Sequence, residues 1–165
     1  MAYGFTDGRI GAQPIATTST TQLHPVGTIV RADDPTFGAG EFIYLKGVAS
    51  TAVGSLVTYN TSSFTTVLAP VGNNRSRPIA VAMSANVANQ WGWYQIGGVA
   101  VMTKAATVCF VTSGVVGVLT IGLVAGTASG KEMLGAYVAA TASAAVGRTT
   151  VQVLINRPHM QGRVT

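Results

Sequence analysis

Charged side chains are scarce in this sequence. Only 9% of the 165 residues are Asp, Glu, Lys or Arg, compared with about 25% in an ordinary soluble domain. So few charges leave little electrostatic repulsion between copies of the chain, and such proteins tend to associate. The scarcity therefore favours a protein that functions within an assembly.

Side chains that carry catalysis are also few. The stretch GTASGKE (126–132) has only three residues between its glycines and a Glu after the Lys, so it departs from a phosphate-binding loop. No HxxxH or CxxC spacing indicates a zinc site. The sequence contains five carboxylates, two histidines and one cysteine: Asp7, Asp33, Asp34, Glu41, Glu132, His24, His159 and Cys109. Because these groups form no catalytic combination, we predict no enzyme, no metal, no cofactor and no small-molecule substrate.

Two of the carboxylates have a structural interpretation. Asp33 and Asp34 directly precede Pro35, and Asp side chains commonly close such turns by accepting hydrogen bonds from nearby backbone. We therefore predict a turn here rather than an acid–base pair.

The single cysteine excludes an intrachain disulfide. Amid Val and Phe, Cys109 is typical of a small buried hydrophobic residue. The first residues show no basic stretch followed by an apolar run, so we predict no secretory signal. These features favour synthesis in a reducing cytoplasm.

Clusters of positive charge are also missing. Ten Lys and Arg against five Asp and Glu give a net charge of +5, but the cations are scattered, apart from Arg75 and Arg77. Nucleic-acid-binding proteins usually concentrate cations on one face, so we predict no nucleic-acid partner. The charge suits an acidic protein surface.

One long uncharged segment, residues 105–130, permits two interpretations. It is long enough to span a membrane. However, Thr and Ser recur through it, Val and Gly dominate, and two or three short buried strands explain it equally well. We favour strands and no membrane, with a small membrane-inserted protein as an alternative.

Short apolar runs separated by turn signals dominate the chain from Val26 onward. About ten such runs, among them EFIYLKG (41–47) and PIAVAM (78–83), predict an all-β fold, a small β-barrel or β-sandwich. RADDPTFGAG (31–40) indicates a long turn, and the only helix signal, over 137–146, is weak. The first 25 residues are rich in Gly, Thr and Ser and show no periodicity. We therefore predict an extended N-terminal arm (1–25) followed by one β domain (26–165).

Aromatic residues make up only 7% of the chain, yet both tryptophans lie in QWGWYQIGG (90–98). On a strand, Trp91 and Trp93 face one side and Tyr94 faces the other. These rings supply bulk to a core made of small side chains, or they anchor a contact with another chain. The same two interpretations apply to Phe42 and Tyr44.

Two segments, GAGEFIYLKGVASTAVGSLVTYN (38–60) and RPIAVAMSANVANQWGWYQIGGVAV (77–101), resemble the lambda-type head decoration, or cement, proteins of tailed bacteriophages. The shared order is a Thr- and Pro-containing arm, an apolar IAVA strand (79–82), a polar gap and Tyr94-x-x-Gly97. The resemblance implies a structural virion protein that binds the exterior of a phage capsid as a trimer and stabilises it. The major capsid protein and further copies of the chain are then its partners.

The resemblance also implies that the arm becomes ordered on the capsid, for example as an added strand. We predict capsid or subunit contacts for ten residues: Ile15, Leu23, Phe37, Phe42, Tyr44, Arg75, Arg77, Trp91, Trp93 and Tyr94. The alternative is another phage structural component, such as a head-fibre base, a tail protein or an adhesin domain.

Overall fold

The computed structural model describes residues 4–5, 13–47, 51–71, 76–105, 108, 110–140 and 149–162. In these ranges the chain forms strands and turns and no helix, which confirms the predicted all-β class. The twelve strands are β1 (Gly4–Phe5), β2 (Thr18–Ser19), β3 (Ile29–Asp34), β4 (Gly38–Lys46), β5 (Leu56–Tyr59), β6 (Thr66–Leu68), β7 (Ile79–Ala82), β8 (Trp91–Thr103), β9 (Val115–Thr120), β10 (Leu123–Ala125), β11 (Glu132–Ala140) and β12 (Thr150–Met160).

The strands form one curled antiparallel sheet. Its main path runs in the order β1-β3-β4-β8-β12-β11-β9-β10. A branch leaves the centre of the sheet, where β7 pairs with both β8 and β5, and β5 pairs with β6. The branch covers one side of the main path, so the fold combines features of an open barrel and a sandwich.

The 13-residue strand β8 bends in its middle. Its first half pairs with β4 and its second half with β12. Ile96 is an extra residue in the β4 ladder, since Glu41 pairs with Gly97 and Phe42 with Gln95, and such a bulge bends a strand. Gly98 then adopts φ +88°, and a Cβ there would collide with the carbonyl oxygen of Ala39. Glycine adopts a positive φ at low energetic cost and has no Cβ to collide with Ala39, so this position favours glycine.

Gln95 stabilises this bend. Its fully buried side chain donates Nε2 to the carbonyl oxygens of Gly97 at 3.0 Å and Val99 at 3.1 Å. Buried polar groups are costly unless they are hydrogen-bonded. The amide N–H groups therefore tie Gln95 to the backbone that follows the bulge, whereas Gln95 Oε1 has no hydrogen-bond partner among the described residues.

Three apolar clusters fill the interior. The largest lies between β5–β7 and the second half of the sheet, with Leu56, Met102, Met133 and Val153 among its members. The other two pack on opposite faces of β4 and the first half of β8. That part of the sheet is therefore buried on both sides, which explains its continuous apolar sequence.

Several sequence-based boundaries are corrected. Residues 31–34, predicted as part of a turn, belong to β3, and only 35–37 turn before β4 begins. The turn role of Asp34 is confirmed, because its Oδ1 accepts hydrogen bonds from the backbone N–H groups of Thr36 (2.7 Å) and Phe37 (3.0 Å). Residues 137–140 of the weak helix signal lie in β11, and 141–146 lie outside the described residues.

The uncharged segment 105–130 contains β9 and β10, as the strand interpretation predicted, together with turns. Ala106, Thr107 and Cys109 lie outside the described residues. Within the described ranges, no helix is both long and apolar enough to cross a membrane.

Candidate functional site

Three rings from distant parts of the sequence meet on one face of β4 and β8. The Tyr44 and Trp93 rings lie 4.9 Å apart, and His24 packs 5.1 Å from Tyr44 and 5.4 Å from Trp93. Tyr44 and Trp93 are fully buried. We call this group, with the apolar residues around it, the inner cluster. Its further members are Ile15, Val30, Ala32, Phe42 and Met83, with Trp91 partly buried against it.

Residues 13–24, from the predicted arm, cover the inner cluster. Trp93 Nε1 donates to the carbonyl oxygen of Gln13 at 2.8 Å, and the Tyr44 hydroxyl donates to Gln13 Oε1 at 3.1 Å. The Gln13 backbone N–H donates to His24 Nε2 at 3.2 Å. Strand β2 extends the cover by pairing with Gly92 and Trp91 of β8. The polar atoms of both rings thus find partners in the segment that buries them, as buried Tyr and Trp usually require.

Burial raises the pKa of the Tyr44 phenol above its ordinary value of 10.0, and the hydrogen bond from the backbone N–H of Leu23 partly opposes this rise. Because ionisation would place a charge inside the cluster, the neutral phenol is favoured. Tyr44 is therefore a packing and hydrogen-bonding group here.

Tyr94 lies on the opposite face of β8, as the predicted strand alternation requires. It packs with Leu45 and Ile96 in the third cluster. The Asn86 side-chain amide donates to its hydroxyl at 2.9 Å. Burial raises the pKa of this phenol, while hydrogen bonds with Thr66, Asn86 and Thr51 lower it by less.

The residues predicted to make contacts therefore have very different surroundings. Five of them are buried within the chain and make internal contacts: Ile15, Phe42, Tyr44, Trp93 and Tyr94. The Trp91 ring is partly exposed and lies 5.4 Å from Lys46 Nζ. Leu23 and Arg77 are exposed, Phe37 is half-buried, and Arg75 lies outside the described residues. A capsid or subunit contact by any of these residues stays a prediction.

A groove of about 740 Å³ opens where β8 bends, on the outer face of the sheet. We call it the outer groove. Strands β3, β4, β8, β11 and β12 all contribute to it. Its lining residues are Arg31, Ala39, Gly40, Glu41, Gly97, Gly98, Gly135, Ala136, Tyr137, Leu154, Ile155 and Asn156.

Ion pairs order the β4 side of the outer groove. Arg31 contacts Glu41 Oε1 at 3.1 Å, and Arg157 contacts Glu41 Oε2 at 3.4 Å. Both arginines are largely exposed, so each pair contributes little to stability. Their effect is to fix the orientation of one carboxylate between two guanidinium groups.

Exposed aliphatic residues follow one another along β9 and its flanking turns. We call them the β9 patch: Val111, Val115, Leu119 and Ile121. Val115 and Leu119 lie four positions apart on one strand and therefore face the same side. The patch side chains are uncharged, and Glu132 of β11 lies beside them, in register with Gly117.

Neither the outer groove nor the β9 patch was predicted from the sequence. The double glycine at 97–98 was a visible signal for a distorted strand, but it did not reveal which strands meet there. For the β9 patch, the valine-rich run V-V-G-V-L-T (115–120) indicates a strand without showing which of its faces stays uncovered.

Among the described residues, no three His, Cys, Asp or Glu side chains lie close enough to hold a metal ion. No protein-family model matches the chain, and no curated protein sequence matches it.

Proposed function

We propose that this protein is a structural virion protein that binds the outer surface of a phage capsid and stabilises the shell, as a homo-oligomer and most simply as a trimer. The observation that carries the proposal is the β9 patch. Its four aliphatic side chains are exposed in the isolated chain, and two of them, Val115 and Leu119, share one face of β9; an exposed apolar strand face is typical of protein–protein contacts.

The charge distribution supports the same proposal. The four side chains of the β9 patch are uncharged, so their own burial desolvates no ionised group, and the nearby Glu132 of β11, in register with Gly117, lies at the side of the patch. The rest of the chain has a net charge of +5, which would attract the chain to an acidic capsid exterior and speed the encounter. Burial of the β9 patch thus supplies the affinity for the partner protein, and the attraction between opposite charges orients the chain as it approaches the capsid.

The resemblance to decoration proteins supports the proposal through β4, β5, β7 and the first half of β8, which span its densest segments. These strands build the interior of the fold. The β9 patch lies in a part of the chain where the resemblance is weaker, so the two lines of support are independent.

The test is co-sedimentation of the purified chain with expanded empty capsids that lack it. We expect saturable binding at a fixed number of copies per capsid subunit. Val115→Ser should weaken capsid binding or self-association by about tenfold, since burying a valine contributes roughly 1.5 kcal/mol. Val53→Ser is the matched control, because both valines are 53% exposed.

The possible outcomes separate the proposed function from its alternative. Failure to bind capsids, together with a stable free trimer, would favour a head-fibre base, tail protein or adhesin domain. If Val115→Ser and Val53→Ser changed capsid binding and self-association equally, the β9 patch would not be the contact surface. This would hold even if the parent chain bound capsids.

A further inference from the structure

We propose that the outer groove is a binding site for a neutral oligosaccharide. This inference does not depend on capsid attachment. Its volume of about 740 Å³ lies within the roughly 300–1,000 Å³ range of small-ligand sites. The shape, the exposed aromatic ring and the mixture of polar groups each restrict what the groove can accept.

The floor of the outer groove is the face of a continuous sheet. Strand β8 is paired with β4 and β12, and β12 is paired with β8 and β11. Gly97 is paired with both Glu41 and Asn156, and Leu154 with both Val99 and Tyr137, so the centre of the floor offers no free strand edge for adding an extended peptide. A ligand must instead lie flat on the floor and be recognised by side chains.

Glycines leave this floor open. Gly97, Gly98 and Gly135 line it, and a Cβ at Gly97 would stand only 3.2 Å from Glu41 Cβ. Gly98 and Gly135 both have positive φ angles, so backbone geometry favours glycine at these positions irrespective of any ligand. The glycines at these three positions therefore also leave the floor of the outer groove without side chains there.

One wall of the groove presents an aromatic ring. Tyr137 is 46% exposed and lies on the outer face of β11, in register with Leu154 of β12. Leu154 is in turn in register with Val99 of β8. A ring fixed beside aliphatic side chains offers a flat apolar surface with a polar tip. Such a surface matches the C–H face of a pyranose.

The other wall presents hydrogen-bonding groups of both kinds. Glu41 supplies acceptors, Arg31 supplies donors, and the exposed Asn156 amide supplies both. Glu41, Gly97 and Asn156 are in register across β4, β8 and β12, which places the two planar polar side chains on either side of a glycine. Neighbouring sugar hydroxyls donate and accept at once, so they match this mixture.

Charge around the groove is nearly balanced. Two arginines, Arg31 and Arg157, oppose Glu41, and the exposed Asp33 lies on the same face of β3 as Arg31. A site for an anionic ligand would present donors and excess positive charge instead. We therefore infer a neutral sugar rather than an acidic one.

The experiment is a calorimetric or NMR titration of the intact chain with maltotriose, cellotriose and triacetylchitotriose, and with trigalacturonate as the acidic comparison. We expect at least one neutral trisaccharide to bind in the millimolar range or tighter and more tightly than trigalacturonate. Tyr137→Ala should weaken this binding about tenfold, the effect of losing one stacked ring. Asn156→Ala should weaken it severalfold, whereas Tyr137→Phe should largely retain it.

The control is Leu134→Ala, which removes another exposed side chain from β11 without removing a lining residue. It should leave affinity unchanged, and thermal melting of each variant checks that the fold is intact. The proposal is overturned if no neutral trisaccharide binds at tens of millimolar, if trigalacturonate alone binds, or if Tyr137→Ala binds as well as the parent chain. If the parent chain binds no sugar and Tyr137→Ala loses capsid binding, the proposal is also overturned. The outer groove is then a protein-contact site.

Discussion

Trp93 and Tyr137 both lie on long strands of the same sheet, but they have opposite environments. Trp93 is fully buried beneath residues 13–24, and its indole N–H is hydrogen-bonded to Gln13. Tyr137 stands on the outer face beside the outer groove, nearly half exposed. The segment with the highest density of aromatic residues builds the interior, although Trp91 stays partly exposed, whereas Tyr137, isolated from other aromatic residues in the sequence, is exposed beside the outer groove.

Substitution of the buried ring should have the largest effect. Trp93→Ala removes the centre of the inner cluster and leaves a cavity, so we expect a loss of about 3–5 kcal/mol in the free energy of unfolding. The corresponding fall in melting temperature is on the order of 10 °C. An unchanged melting temperature would contradict the assignment of Trp93 to the interior.

The covering segment should contribute nearly as much. Ile15 is buried in the inner cluster, and Ile15→Ala should cost about 2–3 kcal/mol of stability in chemical unfolding. Ile29→Ala is the control, because Ile29 is partly exposed on the outer face of β3, and it should cost clearly less. Equal costs would mean that residues 13–24 contribute no specific packing.

Alkaline pH should separate buried from exposed phenols. The pKa values of Tyr44, Tyr59 and Tyr94 are raised above 10.0, in each case chiefly by burial. Below about pH 10 the folded and unfolded chains both keep these protons. Above it the unfolded chain loses them first, so stability should fall as pH rises from about 10 through the folded-state pKa values.

Absorbance at 295 nm, recorded together with the strand signal in circular dichroism, checks this expectation. The three phenols should ionise late and together with unfolding, and Tyr44→Phe should reduce the late absorbance step. Ionisation near pH 10 with the strand signal intact would show that these phenols are accessible to water.

Removal of the exposed ring should have the smallest effect on stability. Tyr137→Ala leaves no internal cavity, so we expect the free energy of unfolding to stay within about 0.5 kcal/mol of the parent chain. Its effect should fall on ligand binding instead. If Tyr137→Ala lowered the free energy of unfolding as much as Trp93→Ala, the contrast between an exposed and a buried ring would be wrong.

Much of the fold follows from local patterns. Alternating side chains predicted that Trp93 and Tyr94 face opposite ways, and the clusters on the two faces of β8 confirm it. The Asp-Pro signal predicted the turn at Asp34, although β3 extends further into this stretch than the sequence indicated. These features depend on a few neighbouring residues, so the sequence contains the information they require.

The surfaces could not be inferred in the same way. The aromatic residues among the predicted contacts were proposed as core or contact residues, and five of the ten predicted residues are buried because residues 13–24 and the β5–β7 branch fold over them. The outer groove combines residues from 31 to 156, and no pattern within one segment indicates that combination. Tyr137 stood among alanines and valines and gave no signal of its own.

The sequence by itself determined that this chain forms short strands, where most of them lie, and which side chains share a strand face, because two-residue alternation and turn chemistry act over short distances. The tertiary structure alone decided which face is covered. The bulge at Ile96, the conformation of Gly98 and the amide of Gln95 bend β8. The groove opens beside that bend, whereas the tryptophan side of β8 is covered by residues 13–24, because burial depends on which distant segments meet.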